Sequence, residues 1–253
     1  MQPKEYYLAR KGLYSDIVNH PDFDLGRREI EVLDRFLPLV ARHVPGQVNI
    51  LHLGIGDGRE IPYFINHLSN IGTYLINDIS KPDLEEVLAK MKGEFPHMRF
   101  QGICADIESS GAVGFMRNTL AGQTIVVLVG NSVIFANREV DVQVQGAMRE
   151  DDLFVVTVES PHASMFRSYN IDPVYNLLSA SGNDITRENT KILYDSTDHC
   201  LKIIHRDGQV LLTAYKPKIM EFAHRMQGSG FSPIELVEFP DIHMVSGVFR
   251  LSV

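Results

Sequence analysis

The stretch NILHLGIGDGREIPYFI, residues 49–65, sets Gly54, Gly56 and Gly58 between an apolar run and the start of a helical pattern. Without Cβ atoms, these positions let the backbone turn sharply and approach a ligand closely, at an entropic cost that an ordinary connection avoids. The rival account is a turn needed only to pack a strand on a helix. The spacing is G-x-G-x-G, and neither the Lys nor the Ser/Thr of a phosphate loop follows, which disfavours a triphosphate. Two aspartates extend the pattern. YLINDIS places Asp78 about 20 residues beyond the loop, where a carboxylate accepts from both ribose hydroxyls of a nucleoside or a dinucleotide. GICADIES places Asp106 at the end of the next β run, within reach of an exocyclic adenine amine. Either aspartate alone reads equally as a helix cap or a solvated loop residue. Glycines, a ribose acceptor and an adenine acceptor on three successive strand ends read as a nucleoside site.

Such a site requires strands whose C-terminal ends lie side by side. An amphipathic helix is expected over 27–43, with Ile30, Leu33, Leu37 and Val40 on one face and a kink at Pro38, stopped by Pro45-Gly46. An alternation follows: apolar run 48–53, helix 59–69, strand 73–79, helix 82–93, strand 98–104, helix 109–119, strand 123–130, helix 138–148, strand 152–159. Five β units separated by helices predict an α/β, doubly wound, mostly parallel sheet. After residue 160 come a helical piece at 171–180, the polar stretch SGNDITRENT, and the runs CLKIIH and QVLLTAY joined by Arg206-Asp207-Gly208, a strong hairpin signal. A helix at 217–228 and strands at 233–239 and 243–252 complete seven strands. The expected division is a core over 46–159, a small cap from 1–45 and 160–215, and a C-terminal piece, 216–253, completing the core sheet.

With 44% hydrophobic residues the 253-residue chain can fill a core, so disorder is excluded. The net charge is −8 and the 24 Lys and Arg are scattered, which argues against nucleic acid as a partner. Cys104 and Cys200 share no paired spacing, and no apolar stretch or N-terminal segment resembles a membrane span or signal peptide, so a cytoplasmic protein with reduced thiols is expected. The ten histidines, His52 and His162 included, form no metal spacing, and most read as surface or capping residues.

HLGIGDG, INDIS and CADIE, followed by five β/α units and a closing antiparallel pair, resemble a class I S-adenosylmethionine-dependent methyltransferase. The segments KGLYSDIVNHPDFDLGRREIEVL, LVGNSVIFAN, SYNIDPVYNLL and VLLTAYKPKIMEFAHRMQGSGF extend the likeness to the histidine Nα-methyltransferase branch of the ergothioneine pathway. The resemblance implies a Rossmann-like fold with S-adenosylmethionine as cofactor, contacted by Gly54, Gly56, Gly58, Asp78, Asp106 and Ile107. It implies that the cap holds a small-molecule substrate through Tyr14, Tyr169, Asn176 and Tyr215, with Tyr6 and Tyr7 nearby. Asn131 or Asn137 matches the family's asparagine after strand four, and with Tyr169 these are the candidate catalytic residues. Packing of Tyr169 and Tyr175 with rings in and hydroxyls out is the alternative.

The sequence departs from that family at three places. His52 stands where many members carry an acidic residue, so the cofactor's amino group is contacted from elsewhere. Ala214 takes the place of the glutamate, and Lys216 that of the serine, by which relatives hold histidine. Losing a carboxylate leaves a buried polar substrate group unpaired, at about 1 to 3 kcal/mol. Methyl transfer to an amine of a small amino acid or related metabolite other than histidine is therefore expected. The alternatives are a cyclase that turns S-adenosylmethionine into azetidine-2-carboxylate and methylthioadenosine, and a non-catalytic partner protein that binds S-adenosylmethionine.

Overall fold

The structure, a computed structural model, describes residues 13–129, 138–180 and 184–252, apart from the side chains of residues 13 and 14. Strands β1 (Val48–His52), β2 (Ile71–Asp78), β3 (Arg99–Cys104), β4 (Thr124–Val129) and β5 (Leu153–Glu159) run parallel. Residues 190–215 form β6 (Thr190–Asp195), β7 (Cys200–His205) and β8 (Val210–Tyr215). Strands β9 (Phe231–Phe239) and β10 (Met244–Leu251) return to the main sheet, which has seven strands in the order β3-β2-β1-β4-β5-β10-β9. β10 lies antiparallel to both β5 and β9. The fold is therefore α/β, doubly wound and Rossmann-like, as the alternation of elements predicts.

TIVVLV of β4 and LFVVTVE of β5 are buried at every position, because helices cover both faces. Whereas α1 (Leu13–Val18) places Ile17 in a separate cluster with residues of β7 and β8, one face packs under α2 (Leu25–Ala41), α3 (Ile61–His67) and α4 (Lys81–Glu94). The other packs under α5 (Ala112–Asn118), α6 (Glu139–Ala147) and α9 (Ile219–Gly228). The strand order reverses between β1 and β4, which opens a crevice at their C-terminal ends, where ligands of such sheets bind. At the opposite end the buried Arg117 holds Asp152 through Nε at 2.6 Å and Nη2 at 2.8 Å, and Asp152 accepts from Thr124 N at 2.9 Å.

α2 continues through Pro38 to Ala41. Pro38 is exposed, so the hydrogen bond it cannot make is lost on the solvent side, while Phe36, Leu37 and Val40 stay packed. α1, α7 (Met165–Tyr169) and β6 were not foreseen; α7 is five residues long, and β6 follows a polar stretch that hides it. β6 makes the expected hairpin of β7 and β8 a three-stranded antiparallel sheet, separate from the main one. The hairpin turn is as expected: Gly208 has φ 93°, and its N–H donates to His205 O at 2.9 Å. This sheet packs with α7 and α8 (Asp172–Ser179) in a cluster that holds Tyr169, Leu178, Leu201 and Ala214. Cys104 is exposed and Cys200 buried, both as free thiols. No helix of the described residues is long and apolar enough to cross a membrane.

Candidate functional site

Gly54, Gly56 and Gly58 have φ values of 63°, 57° and 72°, a left-handed run that costs any residue with a Cβ about 1 to 2 kcal/mol at each step. A Cβ on Gly58 would also stand 2.5 Å from Val87 Cγ1 of α4. Packing therefore demands this glycine whatever else the loop does. The loop is tied to the end of β2, where Ile55 N donates to Asn77 O at 2.9 Å and Gly56 N to Asp78 Oδ2 at 3.0 Å. Asp78 Oδ1 accepts from Ser80 N at 2.8 Å. Burial raises the Asp78 carboxyl above its usual range, while the hydrogen bonds from Ser80 and Gly56 oppose the rise. Each carboxylate oxygen retains capacity for a further donor. Asp106 Oδ1 caps its own turn by accepting from Glu108 N at 3.0 Å. Ile107 is buried beside Leu53 and Leu75.

His52 is the exception among histidines expected mostly at the surface or in caps, the other nine being partly or fully exposed. It is 1% exposed, its Nδ1 is 2.9 Å from the Tyr74 hydroxyl, and burial lowers its pKa to about 3. A neutral imidazole thus ends β1 and faces the core.

A second constellation centres on Glu159, at the end of β5. Its carboxylate accepts from Arg28 of α2, from Lys216 just after β8, and from His162 Nε2 at 2.7 Å. Burial pushes the Glu159 pKa up, but the charges of Lys216 and Arg28 and the bond from His162 outweigh it and hold it well below the usual range. Arg28 also meets Asp24 at 3.0 Å and Ile242 O at 3.2 Å. His162 stacks on His243, centroids 4.5 Å apart, and His243 has φ 53°, a backbone conformation rare outside glycine. Lys216, fully buried, donates from Nζ to the Tyr169 hydroxyl at 3.0 Å. Tyr169 is 4% exposed with its hydroxyl turned inward, which overturns the packing with the hydroxyl out. Burial raises its pKa, so the phenol keeps its proton.

Two further carboxyls approach this end of the sheet. Glu29, the neighbour of Arg28, is buried, and burial together with the charges of Glu60 and Glu159 raises its pKa to about 8. Glu60, the N-cap of α3, is raised to about 7, by burial and then by Asp57.

The expected substrate residues are only partly assembled. Tyr169 and Ala214 share one cluster, whereas Tyr215 faces the other way, its ring 4.4 Å from the Arg225 guanidinium, and burial raises its pKa to about 12. Adjacent strand residues point to opposite faces, which separates Tyr215 from Tyr169. Asn176 is on the exposed side of α8, and the Tyr175 hydroxyl donates to Asn170 Oδ1 at 2.9 Å. Asn131, Asn137, Tyr6 and Tyr7, and the side chain of Tyr14, lie outside the described residues. Glu159, Arg28, Glu29, Glu60 and the engaged Lys216 were not foreseen as a group. The available signal was charge where apolar residues belong: Arg28 and Glu29 interrupt the buried stripe of α2, and Glu159 ends an apolar strand.

This sheet and its glycine crevice define a Rossmann-like methyltransferase fold. Solved structures agree at the level of fold. The CcbJ methyltransferase from Streptomyces caelestis superposes with TM-score 0.55 and 12% identity over 98% of this chain and 99% of its own. The PH0226 protein from Pyrococcus horikoshii OT3 gives 0.54 and 14% over 98% and 99%. An S-adenosylmethionine-dependent methyltransferase from Clostridium acetobutylicum ATCC 824 gives 0.52 and 12% over 88% and 92%. No curated protein matches the chain by sequence. The profile of one family, described as "Histidine-specific methyltransferase, SAM-dependent", matches residues 3–175, and the chain belongs to that family. Its cofactor is S-adenosylmethionine. The residues present suit that group, since the desolvated Asp78 carboxylate has acceptor capacity for ribose hydroxyls beside the left-handed glycine loop.

Proposed function

We propose that this chain transfers a methyl group to an amine of a small amino acid or related metabolite, and that the amine is not that of histidine. One observation carries the reading: Ala214 is fully buried and apolar where the resemblance places a carboxylate, and Lys216 beside it is already held by Glu159 and Tyr169. An imidazole or ammonium brought there would remain unpaired. When bound, the cofactor supplies a methyl carbon made electrophilic by its sulfonium. The chain has to hold a neutral nucleophile at about 3 to 3.5 Å in line with the departing group, and to exclude water. Gly54, Gly56, Gly58, Asp78, Asp106 and Ile107 hold the nucleoside in this reading, and residues 1–45 and 160–215 close over the acceptor. Tyr169 remains a neutral phenol with one lone pair taken by Lys216. Its second lone pair accepts an acceptor N–H and turns the nitrogen lone pair outward, helped by Asn131 or Asn137.

A second reading is favoured by the state of Glu159. This carboxylate already accepts from three partners of its own chain, and Arg28 and Lys216 balance its charge, which makes it a weak anchor for a separate acceptor. On that reading the α-amine of S-adenosylmethionine, having lost a proton, attacks the carbon next to sulfur. The C–S bond breaks, yielding azetidine-2-carboxylate and methylthioadenosine.

Mass spectrometry of S-adenosylmethionine incubated with the protein, alone and with a panel of primary amines, decides between them. Methyl transfer predicts intact S-adenosylmethionine without acceptor, S-adenosylhomocysteine with the right amine, and background turnover with histidine. Methylthioadenosine formed from S-adenosylmethionine alone, faster than its spontaneous breakdown, would establish the cyclase instead. No product with any amine would leave a binding protein without catalysis.

A further inference from the structure

Next to the glycine loop stand two carboxyls that the reading above does not use. Glu29 on α2 is 2% exposed and Glu60 at the head of α3 is 5% exposed. A buried carboxylate ordinarily sits on a cation. Among the described residues, the cations around this pair are engaged by other side chains: Lys216 by Glu159 and Tyr169, and Arg59 by Asp57, whose carboxylate oxygens lie 2.9 and 3.0 Å from Arg59 Nε. Glu60 Oε2 is buried without a hydrogen-bond partner among the described residues. Among them Glu29 has no ion-pair partner, though Glu60, Glu159, Lys216 and Arg59 all stand near enough to act on it. His52, at the end of β1, is turned to Tyr74 and carries no charge.

We propose that Glu29, backed by Glu60, is the seat for the α-ammonium group at the amino-acid end of S-adenosylmethionine. The inference rests on the cofactor assignment above and adds the residue that meets the cofactor's ammonium group. Glu60 follows Gly58 by two residues. Glu29 lies one helical turn past Gly26, where a Cβ would stand 2.7 Å from Arg59 Nη1, and directly follows Arg28, which holds Glu159, so the seat joins the loop to the end of β5. In the free protein Glu29, raised to about 8 by burial, is mostly protonated at neutral pH. An arriving ammonium stabilises the carboxylate, and the carboxyl proton leaves to solvent. The complex then holds the ammonium against a carboxylate instead of a neutral acid.

Calorimetric titration at pH 7, in two buffers of different ionisation enthalpy, tests this with S-adenosylhomocysteine, which carries the ammonium, and methylthioadenosine, which lacks the amino-acid end. S-adenosylhomocysteine should release about one proton on binding and methylthioadenosine none. Glu29→Gln mimics the neutral acid in shape, so it should fold normally and bind methylthioadenosine like the wild type. It should abolish most of the proton release and weaken S-adenosylhomocysteine at least about tenfold. Glu29→Asp, which keeps the charge but withdraws it by one methylene, should weaken S-adenosylhomocysteine selectively and serves should the amide fail to fold. Wild-type affinity and proton release in Glu29→Gln would overturn the proposal and leave the cofactor assignment standing. Failure of the wild type to bind either nucleoside would overturn that assignment itself.

Discussion

Lys216 Nζ lies 3.0 Å from the hydroxyl oxygen of Tyr169, with the lysine fully buried and the tyrosine 4% exposed. The ammonium is the donor, so the phenol is held in one rotamer with its own proton free to turn. Tyr169→Phe deletes the acceptor but leaves Lys216 on Glu159. A hydrogen bond to a charged group contributes about 1.5 to 3 kcal/mol, so denaturant unfolding should show a loss in that range. Product formation should fall while the affinity for S-adenosylhomocysteine stays within about twofold, because nothing on the nucleoside side has changed. A loss of nucleoside binding equal to the loss of turnover would place Tyr169 outside the reacting end.

Glu159→Gln should be the most damaging single substitution at this end of the sheet. It leaves Arg28 and Lys216 as buried charges without their common counterion, a loss of about 3 to 5 kcal/mol. The wild-type carboxyl is held below its ordinary range, chiefly by Lys216 against the effect of burial. Its stabilising contribution is therefore complete above the unfolded value near 4.5 and is lost as pH falls from there towards the folded value. Acid unfolding followed by circular dichroism should lose that limb in the variant.

Glu29 and Glu60 act in the opposite direction. Burial raises them from 4.5 to about 8 and about 7, so between pH 4.5 and those values the folded state binds more protons than the unfolded one. Stability should then fall as pH rises through this window, by up to about 1.4 kcal/mol per pH unit for each group. Melting curves of the ligand-free protein from pH 5 to 8.5 should flatten in Glu29→Gln and again in Glu60→Gln. Curves that rise over that range in the wild type, and are unchanged in the variants, would contradict the burial of these carboxyls.

Asp78→Ala removes the acceptor of the Gly56 N–H together with the carboxylate assigned to the ribose. Binding of S-adenosylhomocysteine should weaken at least about tenfold, the equivalent of about 1.4 kcal/mol or more. Equal affinity by calorimetry would remove this residue from the nucleoside site.

The sequence made the main sheet legible because its strands are long apolar runs separated by amphipathic helices, and because Gly54 to Gly58 fall at the first crossover. Asp78 was readable for the same reason, as the acid at the end of the second run. Lys216 was noticed as a departure, but its partners were not, because Arg28, Glu159 and Lys216 come from α2, β5 and the residue after β8. The contacts of Glu159 span 131 residues to Arg28 and 57 to Lys216, and no local periodicity reports them. Tyr215 was misplaced beside Tyr169 for a simpler reason. Strand alternation turns it to the opposite face, where Arg225 receives its ring.

The junction at Glu159 also sets an order in time. Arg28 leaves the ribosome 131 residues ahead of its counterion, an interval of roughly 7 to 26 s at the usual pace of about 5 to 20 residues per second. Throughout that interval the guanidinium at the head of α2 has only Asp24, four residues before it, as a counterion, and its buried seat on Glu159 does not yet exist. β10 arrives later still and sits against β5, with Met244 opposite Glu159. The glycine loop and the ends of β1, β2 and β4 around it are synthesised well before the charged end beside them. A nascent chain that has emerged through β4 but not yet β5 thus has its glycine loop, Asp78 and Asp106, and lacks the junction that fixes Tyr169 through Lys216.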